Sequence, residues 1–236
     1  MTAHAHAPPL VLSLFPGIDL LGRAFEEFGF CVVRGPDVIF GGDIRGWHPP
    51  PGKFDGVIGG PPCQAFSELV KLVRHNGHKP RFGNLIPEFV RCVEEARPRW
   101  FLMENVRTAP VPYPEGYHTW SDLVCDYDCG GWTMRKRLIS FGTPKDSDGM
   151  ALNIRMGRAT LFAPERAITG NSRVLTTGER IRNNDRVGTK GGPLPGAGKC
   201  TPIAEMCELQ GLSRNFLEHC PYTREAVRRM IGNGVP

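Results

Sequence analysis

The sequence predicts an α/β fold built on a mostly parallel sheet. Three observations predict it. Short apolar runs alternate with helical patterns through the first half of the chain. The 236 residues correspond to one or two domains and are enough to bury a sizeable core. A composition of 40% apolar and 22% charged residues excludes a disordered chain.

Taken in order, Leu10–Phe15 reads as a buried strand and Asp19–Phe28 as a helix opening at an acidic cap. Phe30–Val33 and Phe54–Ile58 read as further strands. In Asn84–Ala96 apolar residues recur at 85, 86, 89, 90 and 93, the spacing of an amphipathic helix, with Asn84 as its cap. Trp100–Met103 and Leu138–Phe141 read as two more buried strands. Residues 143–199 break the rhythm, and Gly188–Gly198 is nearly all turn chemistry. Helical patterning returns at Thr201–Gln210 and Tyr222–Met230. The layout expected is a catalytic domain of 1–142 and 200–236 interrupted by an insertion at 143–199.

No stretch approaches the roughly 20 apolar residues of a membrane span. The apolar opening Leu10–Leu21 is broken by Pro16 and Asp19, so no signal peptide is expected. Eight cysteines without a secretion signal then predict reduced thiols in the cytoplasm. Charge is uneven. Residues 143–200 hold ten Lys and Arg against five Asp and Glu, while the remainder holds nineteen of each sign. A basic segment on a neutral body suits a polyanion such as nucleic acid, and equally suits a solvated loop.

Four segments carry chemistry. In Leu14-Phe15-Pro16-Gly17-Ile18-Asp19 a strand ends, turns at a glycine and enters a helix, where nucleotide-like ligands meet helix N–H groups. Asp37 follows near the end of the second strand, either as a turn residue after Pro36 or as an acceptor for ribose hydroxyls. Gly59-Gly60-Pro61-Pro62-Cys63-Gln64-Ala65-Phe66-Ser67 comes directly after a strand. Its two prolines stiffen a loop that holds Cys63 at the strand's carboxyl end, the fixed placement a nucleophile needs. Phe101-Leu102-Met103-Glu104-Asn105-Val106 ends another strand on a carboxylate able to act as a proton donor. Arg135-Lys136-Arg137 leads into the last strand with Arg137 at its mouth, and standing alone it reads as a solvated basic turn. Cys125 and Cys129 form one Cys-x3-Cys pair with no second pair nearby, so no metal site is expected.

These segments, in this order, resemble the cytosine-5 DNA methyltransferase family in a small bacterial or phage form. The resemblance rests on Pro61-Pro62-Cys63-Gln64-Ala65-Phe66-Ser67, Glu104-Asn105-Val106, Arg135-Lys136-Arg137 and Gly232-Asn233-Gly234-Val235-Pro236, with lesser matches at Gly42-Asp43-Ile44 and Thr201–Gly211. The resemblance implies a Rossmann-like, S-adenosylmethionine-dependent fold with a small basic target-recognition insertion. It also implies methyl transfer to carbon 5 of a cytosine flipped out of double-stranded DNA. Cys63 is then the nucleophile toward carbon 6, Glu104 the group at ring N3, and Arg137 the holder of O2 with Arg135 in support.

For the cofactor, S-adenosyl-L-methionine, the resemblance assigns Phe15 to the adenine face and Gly17 and Ile18 to the methionine end. Asp37 and Val38 go to the ribose and adenine region, and Asp43 and Ile44 to the adenine edge. Pro61, Leu85, Asn233 and Val235 complete the wall. Gln64 and Ser67 would meet DNA beside the nucleophile. Arg155, Arg158, Arg173 and Arg182, with Arg166, Arg180 and Arg186, would meet phosphates or guanine edges.

The chain departs from the family in places. It has Ser13 where an Asp is usual before Leu-Phe, and Asp19-Leu20 where a Gly pair is usual. Asp19 is therefore expected either to contact the cofactor's ammonium or to cap the helix. Thr133 stands where Gln is common. The sequence stops at Pro236, where relatives continue into a packing helix, as a minimal enzyme or a shortened one would. Methylation of cytosine in tRNA, and a non-catalytic nucleic-acid-binding role, are the alternatives. A monomer without membrane contact is expected.

Overall fold

The computed structural model describes residues 7–66, 83–147, 150–154 and 202–233. They fall into two compact units: 7–124 with 136–154, and 125–135 with 202–233. In the first, a six-stranded sheet has the order β2-β1-β3-β4-β6-β5. Its strands are β1 (Leu10–Leu14), β2 (Cys31–Arg34), β3 (Gly56–Gly59), β4 (Trp100–Asn105), β5 (Tyr117–Cys125) and β6 (Lys136–Pro144). Helices α1 (Leu20–Glu27) and α2 (Ile86–Ala96) accompany them. The pairs β1–β2, β1–β3 and β3–β4 are parallel, whereas β6 runs antiparallel to β4.

The apolar runs are near-continuous because the central strands are covered on both faces. Leu12, Leu14, Val57, Phe101 and Met103 point to one side, where Phe89, Cys92, Val93 and Ala96 of α2 pack on them. Val11, Ile58 and Trp100 point to the other, against Leu21 and Phe25 of α1 and against Phe30 and Phe141. The Phe25 ring stacks on Trp100 at 5.6 Å. The face changes at each step along β1, β3 and β4, as the period of two requires.

The strand β5 was not expected from the sequence. Tyr117, Thr119 and Ser121 turn partly inward while His118, Trp120 and Asp122 face out, so its pattern is inverted relative to a core strand. It lies at the end of the strand order, where a polar strand blunts an open edge. β4 and β6 each run further than their apolar runs, so Glu104, Asn105, Lys136 and Arg137 belong to strands.

The second unit pairs a tight loop with α3 (Ile203–Leu209) and α4 (Arg224–Asn233). Asp126 Oδ2 accepts from the Thr133 N–H at 2.8 Å and from its hydroxyl at 2.6 Å, which closes the loop. Thr133 thus has a structural partner of its own. Met206, Cys207, Val227 and Ile231 form the core between the two helices.

Among the strand glycines, Gly56 lies directly on the Trp100 indole, with no room for a Cβ. Gly56→Ala is expected to destabilise the fold by ~1–3 kcal/mol through overpacking, read as a lower urea midpoint with an unchanged slope.

Candidate active site

The strand order sets the place of the site. The connections leaving β1 and β3 start from adjacent carboxyl ends and lead to opposite sides of the sheet, which opens a crevice there. Leu14 pairs with Gly59, and Gly59 with Met103, so the turn after β1, the Cys63 loop after β3 and Glu104 at the end of β4 share one edge. Because β6 is antiparallel, its beginning reaches the same edge, where Leu138 pairs with Asn105.

Glu104 and Arg137 are joined there. Glu104 Oε1 lies 2.6 Å from Arg137 Nε, with the two side chains only 10% and 21% exposed. A second donor of Arg137, Nη1, is given to the Lys136 carbonyl at 2.9 Å. A Cβ placed on Gly60 would sit 3.3 Å from Glu104 Oε2, so the Cys63 loop leaves its strand directly past the carboxylate.

The loop is tied at both ends to the segment following Glu104. Buried Asn105 donates from Nδ2 to the Pro61 carbonyl at 3.0 Å and accepts from the Val106 N–H at 2.8 Å. At the far end Thr108 Oγ1 donates to the Phe66 carbonyl at 2.6 Å. Between the ties, Cys63–Ala65 makes one 3₁₀ turn, with Pro61 buried, Cys63 half-buried and Gln64 exposed. Neither Asn105 nor Thr108 was a candidate from the sequence, since both act on backbone atoms more than forty positions away.

The other cysteines differ in setting. Cys92, Cys125 and Cys207 are buried, Cys220 is half-buried, and Cys31 and Cys129 are exposed. Burial pushes the Cys92 thiol up to about 11 despite the neighbouring Arg91, the opposite of activation. Burial also raises the thiols of Cys207 and Cys129, the latter with help from Asp126 and Asp128. Among the described residues no group of three or more His, Cys, Asp or Glu could hold a metal.

The turn after β1 is held in an uncommon shape, with Phe15, Gly17 and Asp19 all at positive φ. Asp37 supports it: Oδ2 accepts from the Gly17 N–H at 3.0 Å while Oδ1 caps the next turn at Ile39 N–H, 2.8 Å. A half-buried carboxylate with these two bonds still has lone pairs for a ligand. Asp19 caps α1 through Gly22 N–H at 3.1 Å, accepts from Ser13 Oγ at 2.7 Å and pairs with Arg34 Nε at 2.8 Å. The Ser13 and Asp19 departures are therefore one feature, a hydroxyl and a carboxylate bonded to each other.

Ile18 is half-buried, Val38 exposed, Ile44 and Leu85 buried. Asp43 caps its own turn at the Arg45 N–H, 3.0 Å, with its carboxylate exposed. Arg135 belongs to the second unit, where its buried guanidinium donates from Nη1 to the Gly232 carbonyl at 3.0 Å. Gln210 Nε2 does the same for Ile231 at 3.1 Å, so two side chains satisfy the final carbonyls of α4. Asn233 closes that helix. Ser67, Val235, Arg155, Arg158, Arg166, Arg173, Arg180, Arg182 and Arg186 lie outside the described residues.

Residues 42–158 match the family model of the C-5 cytosine-specific DNA methylases. The chain is 32% identical over 167 residues to the type II methyltransferase M.FnuDI of Fusobacterium nucleatum, covering 58% of this chain and 47% of that one. It is 52% identical over 96 residues to M1.HphI of Haemophilus parahaemolyticus, covering 39% and 25%. Residues 42–158 therefore carry a likeness to the cytosine-5 methylases. The chain spans half or less of the length of these relatives. The fold is likewise that of the Entamoeba histolytica methyltransferase EhMeth, with a TM-score of 0.61 at 13% identity over 97% of this chain and 94% of that one.

In the folded protein, burial keeps Cys92 in its thiol form at pH 8. Iodoacetamide at that pH is expected to leave Cys92 unmodified until urea unfolds the chain, as peptide mass mapping will read.

Proposed function

We propose that the protein transfers a methyl group from S-adenosylmethionine to carbon 5 of a flipped-out cytosine in double-stranded DNA. The observation that carries this reading is the carboxyl edge of the sheet, where the Cys63 loop is bonded to the strand whose Glu104 pairs with Arg137. This supports a nucleophile, an acid and a cation converging on one planar base.

The Cys63 thiolate adds to carbon 6, and electron density moves through the ring onto carbon 5. That addition is uphill unless N3 takes a proton or a strong hydrogen bond, which falls to Glu104. Paired with Arg137, Glu104 is an acceptor, so it must gain a proton and be released before it can donate. Arg137 turns to the base's O2, where negative charge develops, and offers its fork there. After methylation, loss of the carbon 5 proton to a base expels Cys63 and restores the aromatic ring. Prolines 61 and 62 and the Asn105 tie hold the sulfur in place, so little motion is left to freeze out at reaction.

The residues around the β1 turn fit the methyl donor. Gly17 faces open space, Asp37 retains acceptor capacity for ribose hydroxyls, and Asp43 presents a carboxylate beside buried Ile44. Phe15, Ile18, Val38, Pro61 and Leu85 supply apolar surface, and Asn233 and Val235 are assigned to the same wall by resemblance. When bound, the donor supplies an electrophilic methyl group. Asp19 spends its charge on Ser13, Gly22 and Arg34, which favours helix capping over an ammonium contact.

Gln64 and Ser67, the arginines of 143–199 and the cytoplasm of a bacterial or phage-infected cell complete the reading. The role is restriction protection, phage DNA modification or regulation.

A 5-fluorocytosine duplex is expected to trap a covalent adduct with the wild-type protein and donor, stable in denaturing gels, and none with Cys63→Ala. An RNA duplex or tRNA carrying the same base in place of DNA should give no adduct. Trapping on RNA alone would overturn the DNA assignment, and trapping by Cys63→Ala would overturn the nucleophile. If the arginines grip phosphates, log affinity for DNA falls steeply with log salt, by ~0.9 per contact neutralised. An affinity that hardly changes between low and moderate salt would contradict that grip.

A further inference from the structure

We propose that Arg91, in the middle of α2, is a positioning residue for the methyl donor. It fixes the Ile44–Gly46 turn so that Asp43 is presented to the adenine. The inference rests on the reading above, which gives Asp43 and Ile44 to the adenine edge.

The segment between β2 and β3 contains no strand or α-helix, only two three-residue 3₁₀ turns. The second of these, Ile44–Gly46, has limited internal support: the Asp43 cap at Arg45 N–H, a 3.3 Å bond from Arg45 Nη1 to Asp43 Oδ2, and one 3.2 Å bond from Trp47 N–H to the Ile44 carbonyl. Arg91 supplies the rest. Its Nη2 donates to the Ile44 carbonyl at 2.7 Å and to the Trp47 carbonyl at 3.0 Å, the two ends of the turn.

The remaining donors of the fork are used to aim it. Nε donates to Glu88 at 2.9 Å, one helical turn before, and Nη1 to both oxygens of Glu95 at 2.9 Å, one turn after. His48 Nδ1, just beyond the turn, lies 3.0 Å from the Glu95 carboxylate and 3.2 Å from Arg91 Nη1. Desolvation works against the charge on Arg91, but the hydrogen bonds with Glu95 and Glu88 outweigh it and keep the guanidinium firmly protonated. Glu95 is the mirror case, held below the ordinary carboxylate value by Arg91 and His48 against its own desolvation.

Two anchors therefore locate Asp43. The Ile44 side chain is sunk in the core shared with α2, and Arg91 grips the Ile44 and Trp47 carbonyls that follow Asp43. A lysine cannot replace this fork, because one ammonium lacks the planar set of donors that meets two carbonyls and two carboxylates together.

The test compares wild type, Arg91→Lys and the double variant Glu88→Gln/Glu95→Gln. It measures calorimetric affinity for S-adenosylmethionine, donor KM and kcat on DNA, and thermal midpoint. Arg91→Lys is expected to weaken donor binding and raise donor KM by about tenfold, a misplacement effect, while kcat at saturating donor changes by less than about threefold. The double variant, which loosens the fork without removing it, shifts donor KM the same way by less. Asp43→Asn should cost less in the Arg91→Lys background than in wild type, since the two residues act through one contact. If Arg91→Lys fails to fold, the double variant and its cycle with Asp43→Asn decide. Unchanged donor affinity in folded variants, or a loss confined to kcat, overturns the positioning role alone. Absence of donor binding by the wild type overturns the donor-site reading and this inference with it.

Discussion

The direction of one strand sets the chemistry available at the carboxyl edge of this sheet. Four strands run parallel, and their C-terminal ends collect the turn after β1, the Cys63 loop and Glu104. A cation at the beginning of another parallel strand would lie at the opposite edge. β6 is antiparallel, so its first residues arrive beside the last residues of β4, and Arg137 meets Glu104 at 2.6 Å. Removing two charges from water costs more than such a pair commonly returns, so its value here lies in geometry rather than stability.

From that pair outward the site is a set of ties to backbone atoms. Asn105 and Thr108 hold the two ends of the Cys63 loop, Asp37 holds the turn at Gly17, and Arg91 holds the turn at Ile44. Glu104 and Asn105 are consecutive, so the carboxylate and the anchor of the Cys63 loop are carried by one rigid strand end. The sheet beneath is packed on both faces and resists adjustment. What can change without disturbing it is the pairing of Arg137, a partly exposed side chain with a flexible stem.

Much of this was legible in the sequence because burial on both faces leaves an unbroken apolar run. Leu10–Leu14, Gly56–Gly59 and the start of β4 were recognisable on that ground, and α2 by its spacing of apolar residues. β5 was not, since its inward positions are Thr119 and Ser121 and its tryptophan faces out. The ends of β4 and β6 were also missed. Polar residues there are paired with each other or with main-chain groups, which hydrophobic patterning cannot register.

The site divides in the same manner. Cys63 and Glu104 stood out because each is a reactive or charged type placed at a strand end, and Arg137 only through the order of the motifs that carry the resemblance. Asn105 and Thr108 did not, because the loop carbonyls they hold are at distant positions; Arg91 did not either, because its local spacing to Glu88 and Glu95 reads only as a helix-surface pairing and its grip on Ile44 and Trp47 is distant. The junction between Ser13 and Asp19 was visible as two separate departures and became one hydrogen bond only in three dimensions.

This edge is proposed to methylate cytosine at carbon 5. The most direct measurement of that activity is base-resolved mapping of 5-methylcytosine in plasmid DNA from a host without such modification, expressing either the wild-type chain or Glu104→Gln. The account predicts 5-methylcytosine at one short recurring sequence with wild type and a loss of nearly all of it with the variant. Folded wild-type protein that binds both DNA and donor yet leaves every cytosine unmodified would contradict it.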